Sequence, residues 1–121
     1  MESVINPQIL EVRTYRGIKY IPVIRIIYIK AEKKESVIHL DNNKLVNARY
    51  LLKWYSGVLS TPDFFRCHNS YIINCKYVDC FCSKEIILVN NIHIPLSRNK
   101  LKSLKENLVE IQLKTISDTR E

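Results

Sequence analysis

Phe64-Phe65-Arg66-Cys67-His68-Asn69-Ser70-Tyr71-Ile72-Ile73-Asn74 is the run on which the reading of this 121-residue chain turns. Large apolar side chains anchor it, and hydrogen-bonding side chains at His68, Asn69, Ser70 and Asn74 are set among them. Aromatic and β-branched residues favour extended backbone, so the run predicts an extended segment. A bend or strand end within it would hold Asn69 rigidly towards a partner, and an Asn side chain matches adenine N6 and N7 in the major groove. The plainer role for His68, Ser70 and Asn74 is to satisfy backbone groups at that bend.

Upstream, Ile9 to Thr14, Ile21 to Ile29 and Ser36 to Leu40 read as strands, with the charged stretch Ala31 to Glu35 as a connecting loop. Asp41 to Lys44 is a turn, because Asn and Asp tolerate positive φ, and Leu45 to Asn47 returns as a hairpin arm. In Tyr50 to Leu59 the apolar residues Leu51, Leu52, Tyr55, Val58 and Leu59 recur at helical spacing, which predicts a helix of about three turns with its stripe in the core. Thr61-Pro62-Asp63 stops it. Downstream, Tyr77 to Cys82 and Ile86 to Val89 read as strands, and Asn90-Asn91 as a two-residue hairpin loop. Ile92 to Leu96 completes that hairpin, with Pro95 at an edge or strand end. Ser97 can cap a final helix in which Leu101, Leu104 and Leu108 form one stripe. No repeat or low-complexity segment interrupts the chain, so residues 1–121 are expected to be one mostly β domain, with its core over about 10–108 and a tail over 112–121.

Ile94-Pro95-Leu96-Ser97-Arg98-Asn99-Lys100 is the second informative run. It places Arg98 on the first helical turn, where a guanidinium can reach guanine O6 and N7 and where the helix terminus favours a phosphate. Lys100, Lys102 and Lys105 follow and can neutralise backbone charge, although a solvated basic helix face has the same composition. Nineteen Lys and Arg against twelve Asp and Glu give a formal charge of +7, which favours a polyanion. The longest apolar region, Ile18 to Ile29, is broken by Lys19 and Arg25 and does not suit a bilayer span. Met1 to Asn6 lacks the pattern of a signal peptide. The mixed charge of Thr115 to Glu121 argues against a lipid-binding tail. A soluble, cytoplasmic protein with no membrane insertion is expected.

Catalysis finds no support. Only two glycines are present, too few for a glycine-rich phosphate loop. His39, His68 and His93 have no nucleophile at a recognisable spacing, and Cys67 and His68, as strand neighbours, should point to opposite faces. Cys67, Cys75, Cys80 and Cys82 include no CxxC pair and read as reduced, buried thiols, with no metal or cofactor expected. Cys67 is a redox candidate by its place in the central run.

With the strand Ile26-Ile27-Tyr28-Ile29-Lys30-Ala31, the two runs resemble the LytTR family of bacterial DNA-binding domains. The family pattern has an early I-x-Y-I-E-A strand, a central F-x-R-x-H-x-S-Y-x-x-N run and a late I-P-x-S-R run, and all three occur here in that order. The resemblance spans about Leu10 to Leu108, and the central run looks especially like that of accessory-gene-regulator response regulators. It implies an elongated β-sandwich of short antiparallel sheets, with one short internal helix and a C-terminal helix. Its implied function is sequence-specific binding of duplex DNA as a transcription regulator, loops entering successive major grooves and two protomers occupying direct repeats. The family's base-reading positions fall on Lys33 or Lys34, on Asn69 and on Arg98. Arg66, His68, Ser70, Ser97, Asn99, Lys100 and Lys102 are expected on the flanking phosphates. Lys30 and Arg25 depart from the family, which favours acids there. The βα repeats of a receiver domain, which most members carry, do not occur in these residues. The chain is therefore either a stand-alone regulator, for which control by a regulatory protein partner or by abundance is expected, or one domain of a longer protein. A β-rich RNA-binding module and a protein-interaction module are the rival readings. Tyr71, Tyr77 and Phe81 are better explained as core than as base-stacking platforms.

Overall fold

The computed structural model describes residues 8–59 and 61–119. The amino-terminal stretch read above for a signal sequence, and the last two residues of the expected tail, lie outside the described residues. The chain divides into two compact units, Met1–Ser60 and Thr61–Glu121. Among the described residues both contain antiparallel strands, and each carries one α-helix.

In the first unit β1 (Ile9–Thr14) and β2 (Gly17–Pro22) form a hairpin closed by the pair Thr14↔Gly17. Gly17 has φ +118°, a conformation side chains rarely adopt, and Thr14 Oγ1 donates to its carbonyl at 2.8 Å. The expected strand Ile21 to Ile29 is two strands. β2 ends at Pro22, Val23–Arg25 forms a 3-10 turn, and β3 (Ile26–Glu32) begins beyond it. Pro22 has no N–H to continue a ladder, and the β-branched residues of the turn conceal the break in composition. β3 then runs through most of the expected loop to pair Glu32 with Glu35, leaving only Lys33 and Lys34 between β3 and β4 (Glu35–Leu40). β5 (Leu45–Ala48) pairs with β4.

The helix α1 covers Leu52–Val58, shorter than the spacing suggests, and buries Leu52 and Tyr55 while Leu51 stays 46% exposed. Alternation along the strands sends Leu10 and Val12, Ile38 and Leu40, and Val46 and Ala48 inward. Ser36 is a polar residue in this core. Its hydroxyl meets the Tyr55 hydroxyl at 2.7 Å and the Ala48 carbonyl at 3.4 Å, so the buried group is satisfied.

In the second unit the run expected as one extended segment folds back on itself: β6 (Phe64–His68) and β7 (Tyr71–Asn74) form a hairpin that turns at Asn69 and Ser70. A 3-10 turn, Cys75–Tyr77, leads to the meander β8 (Val78–Phe81), β9 (Glu85–Leu88) and β10 (Ile92–Pro95), with β9 in the middle. Asn90 and Asn91 have φ of 63° and 59°, the positive values expected of them, in a three-residue loop that also takes in Val89. The helix α2 covers Leu101–Thr119, extending through most of the expected tail. Leu104 is fully buried, and Asn107 donates to the Pro62 carbonyl at 2.6 Å, tying the helix to the segment before β6.

Candidate nucleic-acid interface

Asn69 and Ser70 are the two residues between β6 and β7, and Asn69 is exposed at the tip. Neither has positive φ, so the loop is not the primed turn that suits a two-residue hairpin. A bulge compensates: Arg66 pairs with Ile72 and His68 with Tyr71, leaving Cys67 without a partner across the ladder. Side chains complete the turn. Arg66 Nη2 donates to the Asn69 carbonyl at 2.9 Å, and His68 Nδ1 accepts the Ser70 N–H at 3.1 Å. Asn74 Oδ1 accepts the Lys76 N–H at 3.0 Å, so His68 and Asn74 do satisfy backbone groups at bends.

The bulged Cys67 has its carbonyl free to leave the hairpin, and it accepts the N–H of Ser97 at 2.9 Å. Ser97 is therefore engaged through its backbone. Lys100 N–H closes a turn onto the Ser97 carbonyl at 3.0 Å, and the first helical bond runs from Leu104 to the Lys100 carbonyl at 2.9 Å. This corrects the expected helix start: Ser97 is not the cap, and Arg98 and Asn99 form the exposed tip of a turn that precedes α2. Two contacts set the base of that turn. Leu96 is buried and its N–H bonds the Lys84 carbonyl at 3.0 Å, while the Lys100 ammonium lies 6.0 Å from the centre of the Phe65 ring.

One hydrogen bond thus joins the supports of Asn69 and Arg98. Bond lengths counted outward from it hold the two Cα atoms within about 15 Å of each other. Equivalent points of successive major grooves lie roughly 34 Å apart, beyond the reach of both side chains even when extended. The pair can serve one major groove and its border, but cannot span two.

Lys33 and Lys34, in the first unit, are exposed at the tip of the β3–β4 hairpin. Lys33 has φ 58°, a left-handed conformation that an L side chain adopts at a cost of about 1 kcal/mol. Lys102 is exposed on the first turn of α2, whereas Ser70, Ser97 and Lys100 are half-buried. Sequence reasoning missed Cys67 as a backbone acceptor, Phe65 beneath Lys100, and the left-handed Lys33. Only the last had a signal, a two-residue gap between Glu32 and Glu35 with no glycine in it.

Cys67 and His68 form no dyad. The Cys67 thiol donates to the Tyr71 carbonyl at 3.8 Å, the His68 Nδ1 is occupied by Ser70, and burial pushes the thiol up to about 12. Cys75 is also buried, but Cys80 and Cys82 are exposed, contrary to the expectation for all four cysteines. Cys80 pairs with Ile87 on the half-buried face of the meander, while Phe81 pairs with the fully buried Ile86. Among the described residues no three His, Cys, Asp or Glu side chains are grouped so as to hold a metal ion, and no helix is long and apolar enough to cross a membrane.

A family model described as the LytTr DNA-binding domain matches residues 16–109. A LytTr DNA-binding domain of a methyl-accepting/DNA response regulator from Bacillus cereus is similar in structure, with a TM-score of 0.70 at 20% sequence identity. The match covers 84% of this chain and 96% of that one. A likeness at that identity speaks for the fold, which in this chain is mostly β with two α-helices among the described residues. No curated protein matches the chain.

Proposed function

The chain belongs to the LytTR DNA-binding domain family, and on that premise we propose that it binds specific duplex DNA through its hairpin and turn tips as a transcription regulator. The observation that carries this reading is the exposure of Asn69 and Arg98 on two turns that share one backbone anchor. Asn69 suits an adenine edge and Arg98 a guanine edge, and their separation suits bases within one groove. Lys33 and Lys34 offer a second reading point, and successive major grooves are read by successive tips along direct repeats, with a second protomer on the adjoining repeat. Ser70, Ser97, Asn99, Lys100 and Lys102 contact the phosphates around the bases, positioning the chain without selecting sequence. A net charge of +7 adds affinity that declines with salt. In this reading the binding takes place in the cytoplasm, and a regulatory protein partner or the abundance of the chain controls it where the chain acts alone.

Selection of bound duplexes from a random pool tests the reading, with single-stranded RNA as competitor at equal salt. Recovery of a repeated element in head-to-tail orientation supports it. An unenriched pool overturns it, and displacement by RNA at least as effective as by the selected duplex favours an RNA-binding module instead.

A further inference from the structure

The carbonyl of Asn69 and the N–H of Ser70 are the two polar groups of a single peptide unit, and side chains from β6 hold both. Arg66 Nη2 takes the oxygen at 2.9 Å, and His68 Nδ1 takes the hydrogen at 3.1 Å. Because a peptide unit is planar, fixing its two ends fixes the rotation of the plane. That rotation sets ψ of Asn69 and φ of Ser70. The direction of the Asn69 side chain follows from the same backbone.

The need for such a brace comes from the hairpin. Its two-residue loop lacks the positive φ values that match the twist of paired strands, and the bulge at Cys67 interrupts the ladder one residue before His68. Beyond the bulge a single pair, His68 with Tyr71, closes the ladder, and side chains order the loop that follows it. His68 acts as an Asx side chain does in its own turn, accepting from the N–H two residues on. An accepting Nδ1 carries no proton, so the neutral ring holds its hydrogen on Nε2. The His68 ring also meets Tyr71 edge-on, with centroids 5.9 Å apart.

We infer that Arg66 and His68 are positioning residues, a clamp on the Asn69–Ser70 peptide that aims Asn69 at its base. The inference rests on the reading of Asn69 as a base contact. It assigns His68 its role through Nδ1, and it makes the Arg66 guanidinium a brace of the loop instead of a phosphate ligand.

Amide exchanges separate the two nitrogens of the ring. Asn presents an acceptor near the place of Nδ1, and Gln presents its polar atoms near the place of Nε2. His68→Asn, His68→Gln and Arg66→Gln are compared with the unaltered chain on a duplex selected by that chain, and on the same duplex substituted one base pair at a time. The clamp requires His68→Asn to keep the base profile. His68→Gln and Arg66→Gln should lose about two- to tenfold of the discrimination at one base pair, the effect of one hydrogen bond. The salt dependence stays unchanged in all three. Exchange of the Ser70 amide, followed by NMR without DNA, should quicken in His68→Gln and not in His68→Asn. A profile spared by Gln and damaged by Asn, or equally changed or unchanged in both, overturns the clamp. So does a salt slope that falls by about one in Arg66→Gln, because that is the mark of a phosphate contact. Failure of the unaltered chain to select any duplex overturns the DNA-binding reading itself, a result distinct from all of these.

Discussion

The N–H of Ser97 donates to the carbonyl of Cys67 at 2.9 Å, and this bond fixes the turn that carries Arg98 to the hairpin that carries Asn69. Cys67 can accept it because a bulge leaves that residue unpaired across the β6–β7 ladder. The irregularity in the hairpin and the placement of the second turn are one feature.

Removing that donor should therefore disturb both tips together. Ser97→Pro deletes the N–H and leaves the carbonyl of a fully buried residue unsatisfied, at a cost of about 1–3 kcal/mol in stability. Base discrimination is expected to weaken at the Asn69 and Arg98 positions alike. Ser97→Ala keeps the N–H and should leave discrimination intact. Binding to single-base variants of a selected duplex, with urea unfolding alongside, measures both effects, and weakening at one position alone contradicts a shared anchor.

Substitutions at Arg98 and Lys102 should tell a base contact from a phosphate contact. Both are exposed, Arg98 at the tip of a turn and Lys102 on the first helical turn. Arg98→Ala should cost about 1–3 kcal/mol against the selected duplex and relax preference at one base pair. Lys102→Ala should weaken all duplexes about equally and reduce the salt slope by about one. Titrations at several salt concentrations decide it. Equal weakening across all sequences by Arg98→Ala makes that residue a phosphate ligand.

The strands β1, β4, β5 and β8 to β10, both helices and the exposure of Asn69 and Arg98 were legible in the residues. Composition and periodicity report such features directly. Three others were not. Val23–Arg25 turns the chain with residues that favour strands, and only Pro22 marked the break. The bulge at Cys67 depends on how β6 and β7 align, a matter of register that no single residue type announces. Ser97 has the composition of a cap, yet its backbone is committed to Cys67 and to the turn at Lys100, so the helix begins later. Each miss is a tertiary demand overriding a local preference.

The cysteines should divide by exposure. Cys80 and Cys82 are open to solvent, whereas burial pushes the Cys67 thiol up to about 12 and the Cys75 thiol to about 11. Since the thiolate is the nucleophile, iodoacetamide at neutral pH should modify Cys80 and Cys82 in the folded chain and reach the other two only in denaturant. Peptide mass mapping gives the answer. Rapid native labelling of Cys67 would contradict its burial.

The same buried groups predict an alkaline limit. Cys67 and Cys75 are raised from 9.0 and Tyr55 from 10.0, Tyr55 to about 12, in each case chiefly by burial of the group that would become charged. The folded chain therefore keeps protons that the unfolded chain has begun to release. Stability from these groups is complete below pH 9 and is lost as the pH rises through 11 and 12. Urea midpoints measured from pH 8 upward should fall over that range, and less steeply in Cys67→Ala after allowance for the cavity. A midpoint constant to pH 11 would sink the prediction.

Lys33 stands in a conformation that its side chain makes costly, with φ 58° in a two-residue hairpin loop. Asn tolerates that region better, so Lys33→Asn should stabilise the chain by about 0.5–1 kcal/mol and raise the thermal midpoint by a few degrees. If Lys33 were retained only as a turn residue, the exchange would leave DNA binding unaltered or improve it through a firmer loop. A role in recognition requires the opposite: the more stable protein binds the selected duplex more weakly. Thermal melts and titrations on the same preparation test this opposition, and a parallel gain in stability and affinity removes Lys33 from the interface.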